Sequence, residues 1–335
     1  MILHPGILSL LVGSFIVVVM MLGSCVLGIR IIRRWNPDSA SMEQLALERR
    51  TYLISSVMNF VLGFELLSTF LFIYTVDALR DIFVGAMCAT GSLNANPVGW
   101  YVLLLKIVIF FLAAVWIAVN RLDQRAEDYP LTRRKYQLLL GIAPFIFLDA
   151  YLTTAYFLGL EPNRITSCCG SLFSETGEGV AAGLAALPLL PSMGIFYGTC
   201  LLFLIVGLAA LRRPGAGLNY TLALLSPVLL VVALASVVSF ISLYFYEMPT
   251  HHCPFDILQL NYGLVGYPIY FTLFAAVLYG LITGLAEPYK KIDSLRPIIP
   301  DLQKKWTGRA IFFLMLFMAI TGRPILFSDF SMIGY

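Results

Sequence analysis

The chain has 335 residues, of which 59% are hydrophobic and 12% are charged, and its mean hydropathy is +0.86. Soluble domains carry about 25% charged residues, so the composition excludes soluble enzymes and nucleic-acid-binding domains, which need a larger charged surface. The formal net charge of +3 identifies no partner until the charges are placed along the chain.

Eight apolar segments are long enough to cross a bilayer, because a spanning helix needs about 20 apolar residues. They cover approximately 7–29, 52–75, 98–119, 137–159, 185–211, 220–246, 262–285 and 310–327. The last is the weakest, since Arg323 and Pro324 lie near its end. The first is longer than the apolar part of a signal peptide and has no basic residue before it, which predicts a retained helix. The sequence thus predicts an all-α polytopic bundle that forms a single transmembrane domain, 1–335.

The basic residues follow alternate segments, which predicts the orientation, since short cytoplasmic loops are enriched in Lys and Arg. With the N-terminus outside, 18 of the 22 basic residues fall in the loops after segments one, three, five and seven. These are Arg30, Arg33, Arg34, Arg49, Arg50, Arg121, Arg125, Arg133, Arg134, Lys135, Arg212, Arg213, Lys290, Lys291, Arg296, Lys304, Lys305 and Arg309. Only Arg80, Arg164 and Arg323 would lie outside. Both termini are therefore expected on the outer side. The short loops and arginine-rich inner face favour a bacterial inner membrane, with lipid as neighbour and the periplasm outside.

Four of the six cysteines and all three histidines fall on the predicted outer side. The loops before segments three, five and seven contribute Cys88, Cys168, Cys169, His251, His252 and Cys253. His4 lies in the short N-terminus. Cys25 and Cys200 lie within segments and are expected to behave as small buried hydrophobes.

Thiolates and imidazoles together suit Cu(I) or Zn(II), which predicts a soft-metal site formed by the six outer residues. No CxxC or CxxxH spacing is present, so the ligands must come from separate loops. The expected function is to bind or hand over a soft metal ion such as copper, in a larger assembly with other membrane or periplasmic subunits.

Two alternatives stay open from the sequence. In an oxidising compartment, Cys88 and Cys253 can each form a disulfide with one cysteine of the vicinal pair, in a non-catalytic membrane or transport subunit. Alternatively, an outer cysteine pair can exchange disulfides with a partner and pass electrons to a quinone. A nucleotide-binding glycine-rich loop and a CxxCH haem motif are both absent from the sequence, so neither nucleotide nor c-type haem is expected.

Three ionisable residues fall inside the apolar segments, where they are costly and mark paired or functional sites. Glu65, Lys106 and Asp149 lie at depths of about 15, 12 and 15 Å from the outer ends of their segments, at 1.5 Å per helical residue. Lys106 is expected to pair with one or both carboxylates. The group is either an ion pair that fixes helix packing or a proton or cation relay, because it has one carboxylate more than it has lysines.

Overall fold

A computed structural model describes residues 3–36, 39, 41–162, 165–166 and 180–332. Within these ranges every regular element is helical, the connections are turns and irregular loops, and one isolated bridge joins Val84 to Ile165. Eight helical segments are long and apolar enough to cross a membrane, which confirms the predicted all-α class and the number of spans. The side on which the termini lie stays a prediction.

Each predicted segment overlaps one long helix, although two helices begin well before their segments, at Met42 and at Ile299. The helices are α1 (Pro5–Arg34), α2 (Met42–Ala78), α3 (Ala89–Asn94), α4 (Gly99–Asp123), α5 (Thr132–Leu158), α6 (Val180–Ala185), α7 (Leu189–Arg212), α8 (Ala216–Ser236), α9 (Ser242–Tyr246), α10 (Gly266–Leu285) and α11 (Ile299–Phe327). A π-helical segment, Val237–Ile241, joins α8 to α9. The weakest predicted segment forms a continuous helix, because α11 passes through Pro324 without ending.

The chain divides into two compact units. The first comprises Met1–Thr75, Asn96–Pro162 and Tyr289–Ile299, and the second comprises Val76–Ala95, Asn163–Pro288 and Pro300–Tyr335. The single domain over 1–335 stays a prediction, since two compact units within one chain do not by themselves define two domains.

In the first unit, α5 packs against both α1 and α4. Helix α2 shows why this packing is stable in lipid. One of its faces buries Met58, Leu62 and Glu65, whereas Phe60 and Leu67 on another face are 81% and 69% exposed. Because lipid solvates apolar side chains, the exposed apolar face suits a bilayer and the polar residues turn inward.

In the second unit, α8 packs against α7 and α10. The approach of α10 to α8 depends on Gly280 and Gly284, since a Cβ atom at either position would overlap Ser226 or Ala223 on α8. Small residues four apart allow membrane helices to approach closely. This packing fixes the ends of α8–α9 and α10, between which the Cys253 loop is held.

Candidate metal centre

Cys88 is positioned by the turn that follows α2. Gly85 has a φ of +86°, a conformation that L side chains rarely adopt, and a Cβ atom there would lie 2.8 Å from the carbonyl oxygen of Thr166. The Asp77 carboxylate accepts a hydrogen bond from the Ala89 backbone N–H at 3.2 Å and pairs with Arg80 at 2.6 Å. Together these features place Cys88 at the N-cap of α3.

Cys253 is positioned by tyrosines on the two flanking helices. The Tyr246 hydroxyl donates to the Cys253 carbonyl oxygen at 2.5 Å and accepts from the Ile257 N–H at 3.0 Å. The Tyr270 hydroxyl donates to the Pro254 carbonyl oxygen at 2.7 Å. The polar backbone of this buried loop is therefore satisfied by side chains, which fixes the direction of the Cys253 thiol.

These two loops bring three metal-ligand side chains together within the second unit. The Sγ atoms of Cys88 and Cys253 lie 3.4 Å apart, and a carboxylate oxygen of Asp256 lies within 4.8 Å of both. Both thiols are fully buried, and Asp256 is 7% exposed. Gln259 links the loops further, because its Nε2 donates to the Met87 carbonyl oxygen at 2.8 Å and to Asp256 Oδ1 at 3.3 Å.

The separation of the two sulfurs indicates what the pair can do. A disulfide bond has a length of about 2.05 Å, so the thiols are not bonded to each other. Two thiolates on one tetrahedral zinc ion, each bonded at about 2.3 Å, lie about 3.8 Å apart. The observed 3.4 Å is within hydrogen-bond distance for two thiols, either of which can donate, and it is shorter than the separation expected on a zinc ion.

His251 contacts Asp256, the carboxylate of the cluster. Its Nε2 lies 2.5 Å from Asp256 Oδ2, and its ring packs edge-on against Tyr246. The hydrogen bond to Asp256 raises the pKa of His251, which favours the imidazolium form. Burial raises the pKa of Asp256, and the hydrogen bond from His251 opposes that rise. His251 thus lies where a second-shell partner orients a carboxylate that ligates a metal.

His252 contacts the backbone of the π-helical segment, and its predicted role as a metal ligand stays a prediction. Its Nδ1 lies 3.0 Å from the Val238 carbonyl oxygen. Because that carbonyl can only accept, Nδ1 is the donor. Val238 belongs to the π-helical segment, in which the regular helical hydrogen bonds are interrupted. His252 therefore binds the backbone of the π segment, and the ligand cluster that the structure forms does not include it.

The remaining cysteines and the first histidine lie elsewhere. Cys168 and Cys169 fall outside the described residues. Cys200 is fully buried within α7, as expected of a small hydrophobe, and Cys25 in α1 is half-buried. His4 caps α1 in the first unit, where its Nδ1 accepts from the Gly6 N–H at 3.3 Å.

The first unit contains the intramembrane charges. Lys106 Nζ pairs with Asp149 Oδ2 at 2.9 Å, with both side chains buried. A second buried pair joins Lys135 Nζ to Asp123 Oδ2 at 2.7 Å. The sequence did not predict this second pair. Lys135 falls among the other basic residues of a predicted inner loop, and Asp123 lies in the same charged stretch.

Asp256 is the member of this cluster that the sequence did not predict. Its signal is weak, since the stretch Cys-Pro-Phe-Asp places the carboxylate three residues after Cys253 without any standard ligand spacing. A turn at Phe255–Leu258 brings the two side chains to the same side.

The fold and this cluster define a multi-pass membrane protein with a buried Cys–Cys–Asp group in one of its loop regions. No protein-family model, curated protein or solved structure matches the chain.

Proposed function

We propose that this chain is a multi-pass protein of a bacterial inner membrane that binds one soft metal ion through Cys88, Cys253 and Asp256. The observation that carries the proposal is the convergence of two buried sulfurs and one carboxylate from loops 165 residues apart in the chain. Thiolate ligands select soft ions, and a carboxylate is an accepted third ligand of zinc.

The charges of the cluster favour a divalent ion. Two thiolates and one carboxylate carry three negative charges, which a Zn²⁺ ion reduces to one. An imidazolium at His251, 2.5 Å from Asp256, neutralises that last charge. Cu(I) would leave a second negative charge in a buried place, at a considerable cost. Zn²⁺ is therefore the first ion to test, and Cu(I) the second.

Full burial of the two sulfurs favours retention of the ion over rapid release. Hand-over to another membrane or periplasmic subunit, which the sequence suggested, would require the Cys253 loop to open. We place the centre on the periplasmic side because the loops that carry Cys88 and Cys253 alternate along the chain with the loops rich in Lys and Arg.

Metal analysis of the purified full-length protein tests the proposal. After loading with Zn²⁺ or Cu(I) and removal of excess ion, we expect one equivalent of metal per chain. The variants Cys88→Ser, Cys253→Ser and Asp256→Asn should each lose most of it. The variant Cys25→Ala/Cys200→Ala removes two cysteines that lie in helices, and it should retain the full equivalent.

Two outcomes would change the proposal. Equal metal content in the wild type and in Cys88→Ser/Cys253→Ser contradicts it. Thiol counting with and without reductant then separates the alternatives, because a stable Cys88–Cys253 bridge indicates a structural disulfide. A bridge that forms and breaks with a quinone present indicates a redox protein. A Cys168→Ser/Cys169→Ser variant determines whether the vicinal pair contributes to binding.

A further inference from the structure

A cluster of three ionisable side chains lies inside the first unit and shares no residue with the Cys88–Cys253–Asp256 cluster. Glu65 on α2, Lys106 on α4 and Asp149 on α5 are 3%, 1% and 2% exposed. Lys106 Nζ donates to Asp149 Oδ2 at 2.9 Å and to Ser68 Oγ at 3.4 Å. Ser68 Oγ in turn lies 3.1 Å from Glu65 Oε2. The four side chains form one hydrogen-bonded chain in which Ser68 connects Glu65 to the ion pair.

The charges of this cluster do not balance if every group is ionised. Two carboxylates and one ammonium leave one negative charge in a membrane-spanning bundle, where an uncompensated ion costs several kcal/mol. Helix α1 offers no compensation, since it carries no Lys or Arg between Pro5 and Ile29. The Phe72 ring, 5.8 Å from Lys106 Nζ, closes the cluster on another side. A single bound proton removes the excess charge.

The geometry indicates which carboxyl holds that proton. Asp149 contacts Lys106 directly, so its ionised form is stabilised by the ammonium group. Glu65 reaches Lys106 only through the neutral hydroxyl of Ser68. The proton is therefore assigned to Glu65. An ionised Asp149 paired with Lys106 and a neutral Glu65 together leave no charge uncompensated.

We propose that Glu65 is a proton-binding site inside the membrane-spanning helices, which takes up and releases one proton per chain. Hydrogen bonds through Ser68 and Lys106 connect the Glu65 carboxyl to the Asp149 carboxylate. The binding of this proton therefore depends on the charge of Asp149. When the proton leaves, Glu65 is ionised and shares Lys106 with Asp149 through Ser68. The buried pair Asp123–Lys135 has one charge of each sign, so its charges balance without an added proton.

Infrared spectroscopy of the full-length protein tests this site, because a protonated carboxylic acid has a C=O stretching band distinct from the bands of carboxylates. At neutral pH we expect one such band. It should shift on labelling with ¹³C-glutamate, shift again in D₂O, and disappear reversibly at alkaline pH. Glu65→Gln should lack the band, and Glu127→Gln, which changes an exposed carboxylate, should keep it.

Several outcomes would overturn the proposal. One is the absence of a protonated carboxyl band at neutral pH. Another is a band that does not respond to ¹³C-glutamate, which would place the proton on an aspartate. A band lost in Glu287→Gln and retained in Glu65→Gln would place it on a different buried glutamate. A band that is insensitive to D₂O and to alkaline pH would show a trapped proton that does not exchange. If Glu65→Gln does not fold, the wild-type response to ¹³C-glutamate and retention of the band in Glu287→Gln together assign the proton, because Glu65 and Glu287 are the buried glutamates of the described residues.

Discussion

The Sγ atoms of Cys88 and Cys253 lie 3.4 Å apart, although 165 residues separate the two cysteines in the sequence. Neither loop holds its thiol alone. The Cys88 turn requires the unusual backbone of Gly85, and the Cys253 loop requires the hydroxyls of Tyr246 and Tyr270.

Replacing His251 by Gln should weaken metal binding without abolishing it. His251 orients the Asp256 carboxylate and compensates part of the negative charge, and loss of such a second-shell partner typically costs about 10–100-fold in metal affinity. The measurement is a competition titration with a zinc chelator, normalised to folded protein. His252→Gln is the matched control, because its ring binds the Val238 carbonyl and should leave the affinity per folded molecule unchanged. An equal loss in both variants would contradict the role assigned to His251.

Replacing Gly85 by Ala should destabilise the protein by about 1–3 kcal/mol, the usual cost of a strained backbone conformation. The new Cβ atom would also lie 2.8 Å from the Thr166 carbonyl oxygen. Gly263→Ala is the control, since Gly263 has a φ of +65° and no atom within 4 Å of a new Cβ. Thermal unfolding in detergent should show the larger loss for Gly85→Ala. Equal losses would mean that backbone strain alone, without the clash, determines the cost.

Replacing Asp149 by Asn should destabilise the first unit by at most about 3–5 kcal/mol, because it removes the carboxylate that contacts the buried Lys106 ammonium. Ionisation of Glu65, which is connected to Lys106 through Ser68, should offset part of this loss. The double variant Lys106→Met/Asp149→Asn removes both charges and should regain part of the loss. Chemical unfolding of the three proteins in the same detergent measures both steps. A double variant less stable than Asp149→Asn would show that the ion pair is not the source of the loss.

The C-terminus should lie on the side opposite the arginine-rich loops. A full-length chain with alkaline phosphatase at its C-terminus should be enzymatically active in a bacterial host, whereas the same chain with green fluorescent protein there should be dark. A fluorescent protein inserted in the loop at Gly215, between α7 and α8, should fluoresce. The reverse pattern would invert the orientation and place the metal centre on the cytoplasmic side.

The helices were predictable because hydrophobicity over about 20 residues is a local property of the sequence. All eight segments are helical, including the one interrupted by Arg323 and Pro324. The pairing of Lys106 with Asp149 was expected from depth alone. The partnership of Asp123 and Lys135 was not, since both residues lie in a charged stretch that resembles an ordinary inner loop.

The cluster of Cys88, Cys253 and Asp256 was only partly predictable from the sequence. The predicted topology places Cys88 and Cys253 on one side of the membrane, but it could not show which of several cysteines and histidines meet. The position of Asp256 depends on the turn after Cys253. The hydrogen bond between His252 and the Val238 carbonyl depends on the π-helical segment. Such irregular backbone is determined by tertiary contacts, so a sequence pattern carries little information about it.

X-ray absorption spectroscopy at the zinc K-edge of the loaded full-length protein tests the metal centre most directly. We predict two sulfur ligands at about 2.3 Å and at least one oxygen or nitrogen ligand at about 2.0–2.2 Å. Cys88→Ser and Cys253→Ser should each lose one sulfur from this shell. A spectrum of the wild type that contains only oxygen and nitrogen ligands would contradict the account.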